Sequence, residues 1–354
     1  MYPKNVWYVA ALPGEVTEKP MSRHILGQKL VFFRTLSGRV AALEDRCPHR
    51  LLPLSMGRVV GENIQCGYHG AEFSCDGKCV LVPGQAETPE KSSIRSYPIQ
   101  ELYGLVWIWM GDPELASTKE PCDIYSFIDE GAWGTADGYI HIACDYQLIN
   151  DNLADTTHTQ FVHPTTLGNP EAKKLRTAGK SGAEQMQVAF DYEILENGMQ
   201  FQVKLCNMPM APAFEDGFIR ICGGEQGANL DFQLDYVFRP PGFWIFAPTT
   251  MARNAAAETG VRFDSFIIAT PETQYTSHYF HKTCQKYAPD KPEETKYWFD
   301  KTEIAFYEDK VVLEEQQKNI GEHDVHDHPN VSFRGDMLGF QVRKFVRAMV
   351  ESEK

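Results

Sequence analysis

Short runs rich in β-branched and aromatic residues, each bounded by turn formers, fill the first third of the chain. Lys29-Leu30-Val31-Phe32-Phe33-Arg34, Arg39-Val40-Ala41-Ala42-Leu43 and Leu105-Val106-Trp107-Ile108-Trp109 have the length and composition of strands. They predict an all-β region from Val6 to about Asp112, and a polar, proline-containing stretch over 112–121 marks its end. Past that stretch the pattern mixes helix and strand. Residues 187–205 and 230–247 alternate as strands and 262–269 is a third candidate, with Phe238, Phe243, Trp244 and Phe246 supplying bulky apolar surface that suits a cavity wall or a core equally well. Residues 292–320 read as one long helix: Pro292 fits its first turn, Glu293 and Glu294 complement its dipole, and Gly321 is placed to stop it. The pattern predicts an α+β protein of two domains, 1–118 all-β and 119–354 a mixture of sheet and helices.

Composition narrows the setting. A chain of 354 residues exceeds one typical domain, and 43% hydrophobic residues is ordinary for a water-soluble globule. No run of about eighteen apolar residues occurs, and residues 1–5 have neither a basic nor an apolar leader segment, so no membrane span or secretory signal is expected and a cytoplasmic location follows. A net charge of −14 argues against nucleic acid or an anionic membrane as partner. Nine cysteines, an odd number, argue against a disulfide framework, and Cys75 and Cys79 are expected as free, partly buried thiols.

Two of the cysteines carry chemistry. Cys47-Pro48-His49 is followed, after sixteen intervening residues, by Cys66-Gly67-Tyr68-His69. Two mixed Cys/His loops suit a [2Fe–2S] cluster in which one iron takes two thiolates and the other two imidazoles, the exchange that raises the potential into the Rieske range. Zinc accepts the same four side chains, but usually as a C-x2-C pair and an H-x3-5-H pair.

A second concentration of donors is Asn150-Asp151-Asn152-Leu153-Ala154-Asp155-Thr156-Thr157-His158-Thr159-Gln160-Phe161-Val162-His163. On a helix Asn152, Asp155 and His158 share a face, whereas His163 is rotated by about 140° from His158, so the helix must end or bend between the two histidines if both are to meet one metal. Two histidines and a carboxylate are the ligands of a mononuclear non-haem Fe(II) site that activates oxygen. Asp309 is a candidate for the carboxylate. It interrupts an apolar stripe with Trp298, Ala305 and Val312, and a buried acid needs a partner: a metal, a lysine or the end of another helix. The tract His323-Asp324-Val325-His326-Asp327-His328 lacks an apolar shell and reads as a solvated loop, while His141, His278 and His281 read as hydrogen-bonded residues within strands.

Taken together, these motifs resemble the oxygenase components of Rieske non-haem iron monooxygenases, in particular the group of vanillate O-demethylase, toluenesulfonate methyl-monooxygenase and dicamba O-demethylase. The similarity runs from Pro3-Lys4-Asn5-Val6-Trp7-Tyr8-Val9-Ala10 through Cys47-Pro48-His49-Arg50, Cys66-Gly67-Tyr68-His69-Gly70 and Tyr103-Gly104-Leu105-Val106-Trp107-Ile108-Trp109. It continues in Asp151-Asn152-Leu153, Asp155 and the two histidines, in Thr270-Pro271-Glu272-Thr273 and in Glu308-Asp309-Lys310. The resemblance implies that Cys47 and Cys66 hold one cluster iron and His49 and His69 the other, and that His158, His163 and Asp309 bind Fe(II). It further implies that Asp155 bridges the two centres across a subunit boundary with Asn152 nearby, and that the fold is a Rieske β-domain followed by a curved antiparallel sheet with helices of the helix-grip type. Two departures stand out: Leu51-Leu52 where the family has Gly-Ala, and Ala71 where a bulkier apolar residue is usual.

The activity so implied is hydroxylation of a methyl or methoxy carbon on a small aromatic substrate bearing a carboxylate or sulfonate, with O-demethylation as an outcome. O2 is the co-substrate, and a separate reductase carrying flavin or iron–sulfur centres delivers electrons from NAD(P)H to a head-to-tail homotrimer. Neither Arg220 nor Arg262 can be assigned as an anion anchor from the sequence. A ring-hydroxylating dioxygenase is the alternative enzyme. A Rieske electron carrier is the alternative of another class, although it needs only the first third of the chain.

Overall fold

The computed structural model describes residues 2–122, 125–126, 132–169, 187–323, 325 and 331–354. The chain forms two units, Met1–Asp129 with Thr270–Gln274 and Val350–Lys354, and Glu130–Ala269 with Tyr275–Met349.

The first unit is built from β1 (Trp7–Ala11), β2 (Met21–Ile25), β3 (Gln28–Arg34), β4 (Val40–Glu44), β5 (Arg58–Val60), β6 (Asn63–Gln65), β7 (Glu72–Ser74), β8 (Cys79–Leu81), β9 (Ser96–Tyr97), β10 (Ile99–Leu102) and β11 (Leu105–Trp109). They pair as three antiparallel sheets, β1-β11-β10, β2-β3-β4-β9 and β5-β6-β7-β8. The unbroken apolar run in β3 has a structural cause. Successive side chains of a strand point to opposite faces, and here both faces are covered: Leu30 and Phe32 enter one core with Tyr8, Ile25 and Val106, while Val31 and Phe33 enter another with Leu43, Ile64 and Phe73. Cys47 and Cys66 belong to the second core. Cys75 and Cys79 are free, partly exposed thiols, as expected.

The second unit centres on a seven-stranded antiparallel sheet of β12 (Gly134–Ile142), β13 (Gln187–Leu195), β14 (Gly198–Met208), β15 (Leu230–Arg239), β16 (Phe243–Met251), β17 (Val261–Pro271) and β18 (Ser277–Gln285), in the order β12-β18-β17-β16-β15-β14-β13. The two long alternating stretches are hairpins rather than single strands. Chain reversal falls at Glu196-Asn197 and at Pro240-Pro241-Gly242, whose residues suit turns and break a ladder. Along β15 the alternation is complete, with Leu230, Phe232, Leu234, Tyr236 and Phe238 buried on one face.

Five α-helices are described: α1 (Tyr146–Ala154), α2 (Thr159–Val162), α3 (Pro212–Cys222), α4 (Pro292–Ile320) and α5 (Met337–Ser352). The long helix has its expected ends, with Pro292 in the first turn and Gly321 at φ 66° after the last. Its buried stripe runs through Trp298, Thr302, Ala305, Phe306, Asp309, Leu313 and Gln317. Val312, expected on that stripe, is partly exposed; at 3.6 residues per turn the position facing inward one turn after Asp309 is Leu313. Two polar side chains fix α1. Asn150, fully buried, donates to the Pro241 carbonyl at 2.9 Å and accepts from the Trp244 indole at 2.9 Å. Asp145 caps the helix by accepting from the Gln147 N–H at 2.8 Å, and its own N–H donates to Gln317 of α4 at 2.9 Å. No helix among the described residues is long and apolar enough to cross a membrane.

The strand histidines divide. His278 Nδ1 meets the Tyr139 hydroxyl at 2.8 Å. His281 differs from the expectation: both its ring nitrogens are buried without a hydrogen-bond partner among the described residues, because the ring lies among Phe299, Phe306 and Tyr279. Gly138, opposite in register on β12, makes room for it: a Cβ there would fall 2.1 Å from the imidazole. Burial alone pushes His281 down to about 4. Below the unfolded value near 6.5 the unfolded chain takes up a proton that native His281 refuses, so stability falls as pH drops from there to about 4. By pH 5 the loss from this group is about 2 kcal/mol. Urea titrations at pH 7.5 and pH 5 are expected to differ by that much less in His281→Leu than in the parent; equal differences would place the acid sensitivity elsewhere. The tract from His323 to His328 lies largely outside the described residues.

Candidate functional site

In the first unit Cys47 and Cys66 head two loops of matching construction. Cys47 N–H donates to Leu52 O at 2.9 Å and Leu51 N–H returns to Cys47 O at 2.9 Å; Cys66 N–H donates to Ala71 O at 2.8 Å and Gly70 N–H returns to Cys66 O at 3.1 Å. The fifth residue of each loop is left-handed, Leu51 at φ 61° and Gly70 at φ 75°. Both thiols are buried, and burial followed by the neighbouring Cys66 raises the Cys47 thiol, a pair that only bound metal would hold as two thiolates. The His49 and His69 rings lie 4.6 Å apart and are exposed at the loop tips. One thiol and one imidazole from each of two matching loops suit a two-iron cluster with thiolates and imidazoles on different irons better than one zinc ion. The Asp45 carboxylate braces the first loop, accepting from the Ser55 N–H at 2.8 Å and from the hydroxyls of Ser55 and Ser22.

The departure at Leu51 now has a physical reading: a leucine occupies a left-handed position that glycine adopts without cost. Within one chain its side chain is 61% exposed, so little intrachain packing opposes a change. Leu51→Gly is expected to stabilise the cluster-loaded protein by about 0.5–1 kcal/mol, the relief of strain exceeding the extra entropy of an unfolded glycine. Thermal unfolding followed at the cluster's visible absorption checks this, and an unchanged or lower midpoint would show that Leu51 makes a compensating contact.

In the second unit α1 ends at Ala154, Asp155 is its C-terminal cap, and the chain turns through Thr156 and Thr157 before His158 opens α2. The chain thus breaks once before His158 and, as expected, a helix ends between the two histidines, since α2 stops at Val162 and His163 is its non-helical cap; the two histidines bracket this single turn, which brings their rings to 5.3 Å. Asp309 comes to them from α4. His163 Nε2 lies 3.2 Å and His158 Nε2 3.5 Å from its Oδ1. Among the described residues this is the one set of three whose ligating atoms lie within 4.8 Å of each other.

The remaining ring nitrogens are spoken for. His158 Nδ1 donates to the Asp155 main-chain carbonyl, and His163 Nδ1 donates to Glu308 Oε2 at 2.8 Å. Both imidazoles thus carry the proton on Nδ1 and aim the Nε2 lone pair at one point, as metal ligands oriented by outer partners do. Burial pushes the His163 imidazole down, but the carboxylates of Asp309 and Glu308 outweigh it and raise it overall, so these acids face a place that favours positive charge. Asn152 Nδ2 donates to Asp309 Oδ1 at 3.0 Å and so orients the carboxylate. The Asp155 carboxylate accepts from the Thr157 N–H at 2.7 Å, beside an open groove lined by Asn152, His158, Phe333, Phe340 and Arg343.

Residues 6–98 match the Rieske [2Fe-2S] domain and residues 142–352 the vanillate O-demethylase oxygenase C-terminal domain. The chain belongs to the Rieske non-haem iron oxygenases. It is similar to the toluene-4-sulfonate monooxygenase system iron-sulfur subunit of Comamonas testosteroni, 34% identical over 100% of this chain and 98% of the relative. It is also similar to the dicamba O-demethylase oxygenase component of Stenotrophomonas maltophilia, 35% identical over 88% and 87%. Among solved structures, dicamba monooxygenase bound to 3,6-dichlorosalicylic acid superposes with a TM-score of 0.87 at 29% identity, covering 99% of this chain and 98% of that one. This oxygenase is therefore an enzyme rather than an electron carrier, and its cofactors are a Rieske cluster and mononuclear iron.

The motif Glu308-Asp309-Lys310 by itself assigns Glu308 no role. Its signal was present: an acid directly beside a candidate ligand on a helix can reach a different atom of the same histidine.

Proposed function

We propose that this oxygenase hydroxylates a methyl or methoxy carbon of a small aromatic substrate, with O-demethylation as one outcome. The observation that carries the reading is the convergence of His158, His163 and Asp309 with both histidines held in the Nδ1–H form. In balanced form, a C–H bond, O2, two electrons and two protons give C–OH and water; a hydroxylated methoxy carbon then collapses to a phenol and formaldehyde. Iron supplies oxygen activation when bound, and the cluster supplies electrons one at a time. The protein's part is to hold these groups and the substrate in register and to keep water out.

Roles follow for named residues. Cys47, His49, Cys66 and His69 hold the cluster in the domain 1–118, and His158, His163 and Asp309 hold the iron in the domain 119–354. Asn152 is a positioning residue acting through Asp309. Electrons come from a separate reductase of flavin or iron–sulfur type fed by NAD(P)H, in the cytoplasm.

The working form is a head-to-tail homotrimer in which the cluster tip of one protomer meets the groove of the next at Asp155. Two exposed surfaces support this. Leu51, Met56 and Tyr68 are exposed around the tip, and Val331, Phe333 and Phe340 are exposed around the groove. Isolated apolar side chains need no explanation, but two such groups at the two redox sites suit a ring-closing heterologous interface. The test is reconstitution with a surrogate reductase, NADH and methoxyarenes. Formaldehyde and phenol in equal amounts, each matched by one O2, are expected; cis-dihydrodiol products would replace this reading with ring dihydroxylation.

A further inference from the structure

A second cavity lies on the inner face of the large sheet, distinct from the groove at Asp155. Its roof is Thr156, Thr159 and Gln160, which flank His158 in the chain, and its walls are aromatic and aliphatic side chains of β14, β15, β16 and α3. Among the described residues that line it there is no acid, lysine, arginine or histidine. The two arginines left unassigned by the sequence are engaged elsewhere: Arg220 donates to Glu294 at 2.7 Å and stacks on Tyr297, and Arg262 donates to Asp264 at 2.9 Å.

Polar groups do face the cavity. Tyr236 is buried, its ring stacked on Phe201 at 4.3 Å and met edge-on by Phe246 at 5.3 Å, which fixes the direction of its hydroxyl. That hydroxyl has no hydrogen bond among the described residues. Burial above all raises the phenol far above its ordinary range, so it stays an O–H donor. Gln160 Oε1 accepts from the Asn169 N–H, which leaves its NH2 as a second donor.

A carboxylate or sulfonate buried here would lose its water and meet no cation among the described lining residues, a cost of several kcal/mol. An uncharged oxygen would meet the Tyr236 O–H and the Gln160 NH2. We propose that this cavity takes the uncharged, oxygen-bearing part of an aromatic substrate, with Tyr236 and Gln160 as its hydrogen-bond donors and with acid groups kept out. Tyr236 is then a specificity-determining residue. The assignment rests on the reading of the chain as a terminal oxygenase and narrows its substrate to neutral phenols and aryl ethers, against the acid-bearing ring that the family resemblance implies.

The experiment is anaerobic calorimetric titration of the iron-loaded, cluster-loaded enzyme with 4-methoxyphenol, 4-methoxybenzoate, toluene-4-sulfonate and 1,4-dimethylbenzene. The phenol is expected to bind at least about tenfold more tightly than either anion. Tyr236→Phe is expected to weaken the phenol roughly five- to tenfold and to leave 1,4-dimethylbenzene unchanged, with iron content and cluster spectrum intact. Anions binding as tightly as the phenol, a phenol that does not bind, or a variant that loses both neutral probes equally or neither would overturn the assignment. Binding is read without turnover. If the expected binding pattern appears but no oxygenated product forms after reduction and admission of O2, the oxygenase reading fails and the cavity assignment stands.

Discussion

Asp309→Ala is expected to lose the mononuclear iron while keeping the red-brown Rieske chromophore, and product formation should fall by roughly 10³-fold or more, since oxygen activation is lost with the metal. The geometry makes the separation clean. Asp309 Oδ1 is the point on which His158 Nε2, His163 Nε2 and Asn152 Nδ2 converge, at 3.5, 3.2 and 3.0 Å, whereas Cys47, His49, Cys66 and His69 belong to the other unit. Without the carboxylate, two imidazoles and one oriented amide remain, too weak a set to retain Fe(II) through gel filtration. Iron and acid-labile sulfide analysis beside the electron paramagnetic resonance spectrum of the reduced cluster reads both sites at once. A variant that keeps three irons per chain and turns over would show that another residue supplies the carboxylate.

For Asp155→Asn both metals are expected to stay bound and the cluster to remain reducible, yet its reoxidation by O2 and substrate should slow by roughly 10²-fold or more, as for other changes that spoil alignment between reacting centres. The substitution isolates the charge. An asparagine oxygen still accepts from the Thr157 N–H, and the contact to His158 Nδ1 comes from the main-chain carbonyl, which the variant retains. Folding should change by no more than about 1 kcal/mol, the scale of a cap exchanged for a similar one. Stopped-flow single turnovers on pre-reduced enzyme, with sedimentation to confirm the assembly, decide the matter. Parental reoxidation rates, or full activity from a monomer, would remove Asp155 from the electron route.

The parts of the site legible in the sequence are those held by a few consecutive residues. Cys47-x-His49 and Cys66-x-x-His69 announce their ligand types because one turn of chain sets which side chains share a loop. The helix ends at Pro292 and Gly321 are equally local, decided by a missing N–H and a tolerated positive φ. Asp309 was suspected from periodicity alone, and its assignment as a ligand needed the family resemblance. Errors arose where local pattern met competing local chemistry. The turn at Asp155–His158 broke the helix earlier than periodicity suggested, and turns at Asn197 and Pro240 divided stretches whose alternation continues on both sides.

What the sequence by itself determined is the inventory: two soft and two imidazole donors in paired loops, two histidines five residues apart, an acid on a mostly apolar helix stripe, and strands that alternate in register with a buried face. Only the tertiary structure decided that Asp309 meets His158 and His163 across about 150 residues of chain, that Glu308 holds His163 while Asn152 holds Asp309, and that His281 has no hydrogen-bond partner among the described residues. It also decided that Arg220 and Arg262 are engaged with acids, leaving the described lining of the inner cavity uncharged. The physical reason is that bonds and turns fix geometry over a few residues. Convergence of distant side chains depends instead on how α1 is pinned to the sheet by Asn150 and to α4 by Asp145, contacts whose partners no spacing rule identifies.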